Sequence, residues 1–232
     1  MSQPHAVPAS DISVSATRNE PGRGSAACPP EPGSWRARMM VAECRARDVT
    51  IGAALLVVAL PISLVVVCLI KLDSPGPVFY RQVRVGLHGK MFTLLKFRSM
   101  RPDAESDGPR WAAVRDPRVT RLGAYLRAAR IDELPQLLNV LRGDMSLIGP
   151  RPERPYFVDQ LAKVIPRYAE RAEILPGITG WAQVNHPYGA SVEDARHKLG
   201  FDLYYLRHRS RRLDLRILIA TIRVVLLGIG AR

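Results

Sequence analysis

The densest run of apolar positions covers residues 49–70, about 22 residues without a charged side chain. As a helix it measures roughly 33 Å, enough to cross the hydrocarbon core of a bilayer. The 36 residues at the start of the chain are rich in Pro, Ser, Gly and Ala, lack apolar periodicity, and are predicted to form a disordered leader. Beyond the apolar run, Asp73-Ser74-Pro75-Gly76-Pro77 reads as a turn. Two β-prone runs, 78–85 and 91–97, are separated by Gly86 and Gly89 and predict a β-hairpin. Residues 101–116 are polar and predict a loop. Asp116-Pro117 offers an N-cap and a first-turn proline to a helix carrying Leu122, Leu126 and Ala129. A second helix follows, with Leu134, Leu137, Leu138 and Leu141 on one face, Pro135 in its first turn and Gly143 as its stop. Helical periodicity returns over 157–174, interrupted by Pro166. The end, 213–229, is apolar but broken by Arg216 and Arg223, a pattern that suits either an interfacial helix or a buried core helix. The predicted fold is mainly α with a small β-hairpin, an α+β class. The predicted organisation is a leader over 1–36, a membrane-anchoring helix over 37–72 and one principal domain over 73–232.

The charges around the apolar run bear on how it meets a membrane. Arg36, Arg38, Arg45 and Arg47 precede it; Lys71, Arg81, Arg84, Lys90, Lys96 and Arg98 follow it. The positive-inside tendency draws both ends to the cytoplasmic face, which a single straight span does not satisfy. Pro61, mid-run, removes a backbone hydrogen bond and kinks the helix. These features predict a bent, re-entrant helix that enters and leaves by the cytoplasmic face, with an ordinary kinked span as the alternative.

Composition narrows the partners. In 232 residues, 47% hydrophobic content supports one substantial core, and the formal charge of +13 calls for an anionic partner. No nucleic-acid-binding motif accompanies that charge, so an anionic lipid surface or a phosphorylated substrate is expected rather than nucleic acid. Cys28, Cys44 and Cys68 lack metal-type spacing and make no disulfide framework. The five histidines show no ligand spacing, and the chain contains neither an Asp-x-Asp site nor a Walker or dinucleotide fingerprint.

Candidate chemistry concentrates at Asp132-Glu133, adjacent acids set among Arg127, Arg130 and Arg151. Such a setting neutralises phosphate oxygens while keeping a carboxylate ionised for attack. The pattern also places Asp132 as the N-cap of the second helix and Glu133 in its first turn, so capping and dipole complementation account for both acids equally well. Trp181 and Tyr188 are open to both readings as well, ligand contact or packing.

Several blocks then appear in a characteristic order: Ser74-Pro75-Gly76-Pro77-Val78-Phe79, Gln82-Val83-Arg84-Val85-Gly86, Lys96-Phe97-Arg98-Ser99-Met100, Asp132-Glu133-Leu134-Pro135-Gln136, Gly143-Asp144-Met145-Ser146-Leu147, Gly149-Pro150-Arg151-Pro152, and 176–185 with Gly177-Ile178-Thr179-Gly180-Trp181. In these the chain resembles the monotopic phosphoglycosyl transferases, bacterial sugar transferases that move a sugar-1-phosphate from a UDP-sugar to polyprenyl phosphate. The resemblance implies that Asp132 attacks the sugar-bearing phosphate, releasing UMP and leaving a phosphosugar on the carboxylate, and that Glu133 assists. It implies a magnesium ion (Mg2+) held at Asp132, and Arg127 and Arg151 as phosphate-handling residues. Lys96 and Arg98 are candidate substrate contacts, with lipid headgroup binding as the alternative. The resemblance further implies a re-entrant anchor bent at Pro61, a catalytic domain on the cytoplasmic face of the bacterial inner membrane, and a role in starting exopolysaccharide or capsule synthesis. The chain departs from the family pattern at Leu60, Leu175 and His186.

Overall fold

The structure, a computed structural model, describes residues 34–106, 108, 110, 116–186 and 191–226. Tyr188 and nearly all of the expected leader lie outside these residues. Helix α1 (Trp35–Asp73) already begins inside the stretch assigned to the leader and continues through Pro61. It is the one described helix long and apolar enough to cross a membrane. The sequence pattern makes it apolar on all sides over 49–70, which conceals a stripe that the packing reveals. Asp48, Gly52, Ala59, Val66 and Ile70 are buried and recur at helical spacing on one side. The opposite side leaves Val57, Val58, Leu60, Leu64 and Val65 exposed.

The stripe packs on the domain at both ends. Arg45 donates from Nη1 to the Val140 carbonyl (2.5 Å) and from Nη2 to that of Leu141 (2.6 Å), at the end of α3 (Gln136–Arg142). Asp48 Oδ1 accepts from the Leu147 amide (3.3 Å) in β3 (Ser146–Ile148). Twenty-odd residues on, Val66 and Ile70 form a cluster with Phe97 of β2 (Met91–Phe97) and Leu126 of α2 (Arg121–Ala128). The helix rises about 37 Å between Arg45 and Ile70, so the domain lies along it rather than hanging from one end.

The hairpin forms where the alternation places it. Strand β1 (Phe79–Val85) pairs antiparallel with β2, Phe79 opposite Phe97 and Val85 opposite Met91. Its polarity is inverted: Tyr80, Gln82 and Arg84 turn inward while Phe79, Arg81 and Val83 are exposed. An inward polar face marks a strand that lines a site instead of a core. Helix α2 begins later than Asp116-Pro117 suggested. Val119 makes an extended bridge with Met100, which holds the backbone out of the helical region, and Thr120 becomes the cap by accepting from the Gly123 amide (2.9 Å). Asp116 pairs with Arg118 instead (2.5 Å).

On α3 the buried residues are Gln136, Leu137, Asn139 and Val140; of the expected leucine row Leu137 is buried and Leu134 packs against the core, while Leu138 and Leu141 are half-buried. Asn139 is fully buried and joins α3 to the hairpin: its Nδ2 donates to the Thr93 carbonyl (2.8 Å) and its Oδ1 accepts from the Leu95 amide (3.1 Å). Gly143 ends the helix with a left-handed φ of 91° that favours glycine.

A second sheet was not foreseen. Strand β3 runs parallel to β4 (Gly177–Thr179), Ser146 beside Gly177 and Ile148 beside Thr179. The stretch 157–174 resolves into α4 (Pro155–Val164) and a 3-10 turn over Tyr168–Glu173, divided near Pro166. Helices α5 (Trp181–Asn185), α6 (Val192–His208) and α7 (Arg211–Leu226) complete the domain. Leu213 and Ile217 of α7 enter the main core with Leu137, Val140 and Ile148, while Leu215, Ile219 and Ile222 stay exposed. α7 therefore supplies a core face, and its other side is apolar and exposed, interspersed with Arg212, Arg216 and Arg223.

Buried Asp214 fastens α7 to α1. It accepts from the Tyr205 hydroxyl (2.7 Å) and pairs with Arg47 of α1. Removing one partner of a buried pair typically destabilises by about 3–5 kcal/mol. Asp214→Asn is therefore expected to lower the melting temperature of the detergent-solubilised protein by several degrees; an unchanged melt would show that the pair does not hold α7 to α1.

Candidate active site

The two acids reach their positions through a chain reversal. α2 ends at Ala128, Arg130 adopts a left-handed conformation (φ 58°, ψ 14°), and Ile131–Glu133 forms one 3-10 turn before α3. Asp132 is thus inside a tight turn, not at the N-cap of a helix: α3 starts four residues later and its preceding residue is Pro135. Simple capping does not account for the acid.

Both carboxylates converge on Lys96 from β2. Its Nζ lies 2.8 Å from Glu133 Oε1 and 3.8 Å from Asp132 Oδ2. Arg151 Nη2 reaches the same Glu133 oxygen at 2.5 Å. The environments of the neighbouring acids therefore diverge. Burial alone would raise Glu133, but Arg151 and Lys96 outweigh it and hold the carboxylate well below its usual range. Burial pushes Asp132 up, and Lys96, Arg127 and Arg151 do not fully offset burial and the adjacent Glu133 charge. Burial likewise pulls the Lys96 ammonium down despite Glu133. Glu133 is fixed between two cations, whereas among the described residues Asp132 is buried with one longer ion contact, to Lys96.

Arg151 is aimed by the parallel strand pair. Gly149 donates to the Thr179 carbonyl (2.8 Å) and Gly177 to that of Pro150 (2.8 Å). The two backbones cross so closely that a Cβ on Gly149 would stand 2.3 Å from the Leu175 carbonyl oxygen. Arg171 supports the same loop, donating from Nη2 to the Arg151 carbonyl (3.0 Å) while pairing with buried Asp202 (2.8 Å).

The acids line a cavity of about 740 Å³, large enough for a nucleotide-sized ligand. Lys96, Arg98, Arg127 and Arg151 all line it, so every expected site residue outside α1 is brought to one place. Arg98 differs from the rest in how it is bonded. Its guanidinium donates to the carbonyls of Ser74 (2.7 Å) and Pro75 (2.9 Å), tying the end of α1 to the hairpin. Pro61 lies in α1, away from these residues in sequence, and its neighbours Leu60 and Ile62 are exposed.

The cavity also takes in residues that sequence reasoning did not place at the site: Arg84, Arg154, Arg171, Gln183 and Lys198. For Arg84 the signal was present in the inverted alternation of β1. Among the described residues twelve Lys or Arg side chains line the cavity against five Asp or Glu, a lining whose charge favours an anion.

The described residues contain no cluster of three metal-type side chains. One or two carboxylates would suffice for a magnesium ion that also takes phosphate oxygens. Asp132 would supply the carboxylate; Glu133 is already neutralised by Lys96 and Arg151.

The sequence matches the bacterial sugar transferase family over residues 39–228. It is 50% identical over 188 residues to UDP-N-acetylgalactosamine-undecaprenyl-phosphate N-acetylgalactosaminephosphotransferase of Aeromonas hydrophila, covering 80% of this chain and 44% of that protein. It is 44% identical over 187 residues to undecaprenyl-phosphate glucose phosphotransferase of Komagataeibacter xylinus, covering 78% and 35%. It is 46% identical over 182 residues to UDP-glucose:undecaprenyl-phosphate glucose-1-phosphate transferase of Caulobacter vibrioides, covering 77% and 67%. The chain thus spans less than half the length of the first two of these relatives. With a match over most of its length, an acidic pair in a cationic cavity and an apolar helix alongside, the chain belongs to the bacterial sugar transferase family.

Proposed function

We propose that this protein transfers a sugar-1-phosphate from a UDP-sugar to polyprenyl phosphate, releasing UMP, through a covalent intermediate on Asp132. The observation that carries this reading is the asymmetry of the acid pair. Glu133 is held by Lys96 and Arg151, which leaves Asp132 as the carboxylate able to approach a phosphorus atom. In the first step an Asp132 oxygen attacks the phosphorus bearing the sugar. The bond from that phosphorus to the bridging oxygen breaks, and its electron pair leaves on the nucleotide phosphate as UMP. In the second step an oxygen of polyprenyl phosphate attacks the same phosphorus and Asp132 departs as a carboxylate. Splitting the transfer lets a soluble and a lipid substrate use one site in turn.

Lys96, Arg127 and Arg151 neutralise phosphate oxygens, and Glu133 orients Lys96 and Arg151 rather than reacting. A bound magnesium ion would add Lewis-acid screening of the diphosphate charge. Arg127 approaches from α2, which packs on the second half of α1 through Leu126, Val66 and Ile70. That is the side from which a lipid phosphate would arrive.

The membrane geometry belongs to the same reading. A helix apolar all round, with one side on the domain along about 37 Å and the other exposed, suits a bent anchor whose outer side meets lipid. Bending at Pro61 returns both ends to the cytoplasmic face of the inner membrane. In sealed vesicles, with Cys28 and Cys68 replaced by serine, native Cys44 and an Asp73→Cys substitution are expected to react with an impermeant thiol reagent from the same side. Labelling from opposite sides would rule out re-entry.

The activity itself is tested by incubating detergent-extracted protein with magnesium, undecaprenyl phosphate and a panel of radiolabelled UDP-sugars. Label in the lipid fraction with stoichiometric UMP is expected for at least one donor. No lipid label and no UMP across the panel would remove the reading.

A further inference from the structure

Beyond Arg151, away from Asp132, the cavity continues into a second group of cations. Arg84 comes from β1, Arg154 from the start of α4, Arg171 from the 3-10 turn and Lys198 from α6. Three carboxylates in this region are already engaged. Glu133 is clamped by Lys96 and Arg151, Asp202 takes Arg171 (2.8 Å), and Glu105 takes Arg154 (2.9 Å). Among the described residues of this region Glu153 is the remaining acid, 3.8 Å from Arg84, and its charge is felt by Arg151, Arg171 and Lys198 as well.

Arg84 is kept in an unfavourable setting. Its Nη1 donates to the Pro152 carbonyl (2.9 Å) and its Nη2 to Gln82, but its Nε is buried with no hydrogen-bond partner. Burial and the neighbouring Arg151 and Arg154 all work against its charge. A fixed guanidinium with an unsatisfied donor, whose nearest carboxylate is 3.8 Å away and also acts on Arg151, Arg171 and Lys198, leaves room for a further anion.

Resting on the proposed function, we propose that Arg84 and Lys198 form a second phosphate subsite that holds the nucleotide phosphate of the donor and retains it as the leaving group when Asp132 attacks. Arg151 stands between the two subsites, touching Glu133 on one side and running into the Pro152 carbonyl that Arg84 holds on the other. A diphosphate spans them, with its sugar-bearing phosphorus at Asp132 and its nucleotide phosphate at Arg84 and Lys198. The assignment to the soluble substrate follows from position. Lys198 projects from α6 and Arg84 from β1, whereas α2, which carries Arg127, is the element packed on the apolar anchor.

The test uses the full-length detergent-solubilised protein and UMP as the probe, by calorimetric titration. Arg84→Gln and Lys198→Gln are each expected to weaken UMP binding about tenfold, the loss of one charge-assisted phosphate contact. The KM for the UDP-sugar rises in parallel and the KM for undecaprenyl phosphate stays unchanged. Wild-type UMP affinity in both variants, with wild-type turnover intact, overturns the subsite and leaves the proposed function standing. A raised KM for undecaprenyl phosphate with unchanged UMP affinity assigns these residues to the lipid phosphate and overturns it too. A wild-type chain that neither turns over any UDP-sugar nor binds UMP overturns both together. If Arg84→Gln does not fold, Lys198→Gln, half-buried on α6, decides alone.

Discussion

Replacement of Asp132 by asparagine is expected to reduce turnover by roughly 10⁴-fold or more, the scale seen when a covalent nucleophile is removed, without weakening the fold. The second half of that expectation separates a catalytic acid from a structural one. Asp132 has its carboxyl pushed up by burial, so the folded protein tolerates the neutral form better than the ionised one. For an acid with a raised pKa in the folded state, ionisation works against folding as the pH rises through that value. A neutral isostere removes this disadvantage, and Asp132→Asn should melt at or above the wild-type temperature at neutral pH. The same shift sets the acid limb of the rate. Attack needs the carboxylate, so kcat/KM for the donor falls as the pH drops through the raised value of Asp132, at a higher pH than an ordinary aspartate would give. Glu133, held low by Arg151 and Lys96, stays ionised across that range. Retained turnover together with a lowered melting temperature would return Asp132 to a structural role.

Gly149→Ala is expected to have the second largest effect, although it removes no charge and touches no substrate. Its methyl group would meet the Leu175 carbonyl oxygen at 2.3 Å and the Gly177 amide nitrogen at 2.9 Å. Both are backbone atoms, and the Gly177 amide is held by the Pro150 carbonyl, so no side chain can rotate away. Overpacking of this kind destabilises by about 1–3 kcal/mol. The greater consequence is catalytic, because the displaced strand carries Arg151 two residues on. A misplacement of about 1 Å in a positioning group can lower a rate on the order of 100-fold. The expected outcome is a folded protein whose turnover falls by about that factor. Full activity in Gly149→Ala would show that the strand crossing does not aim Arg151.

Much of this arrangement was legible in the chain, and what was not has identifiable causes. The hairpin was readable because period-two alternation and Gly86 and Gly89 agree with each other. The turn that presents Asp132 was not, since its left-handed residue is Arg130 instead of a glycine. The parallel pair β3–β4 was invisible because each strand has three residues and the partner lies some thirty positions away. Helix α6 passed unnoticed on its mixed surface, yet Ser191 and Asp194 form a capping box that marks its start. The buried stripe of α1 was masked by apolar residues on every side; only Arg45, Asp48 and the small Gly52 and Ala59 betray it. Asn139 broke an otherwise leucine-rich pattern, and that break was the sign of a buried polar joint to the hairpin. Arg84 stands in the 82–86 block, and its place at the site follows from β1 turning its polar side inward.

The central claim, that Asp132 takes up the sugar-bearing phosphate, is tested most directly by intact-protein mass spectrometry. The purified protein is incubated with magnesium and an accepted UDP-sugar, without polyprenyl phosphate, and quenched. The account predicts a mass increase of one sugar phosphate, confined to the peptide containing Asp132, absent in Asp132→Asn and discharged when undecaprenyl phosphate is added. An unmodified protein that releases UMP only once the lipid is present, or an adduct on another residue, would contradict it.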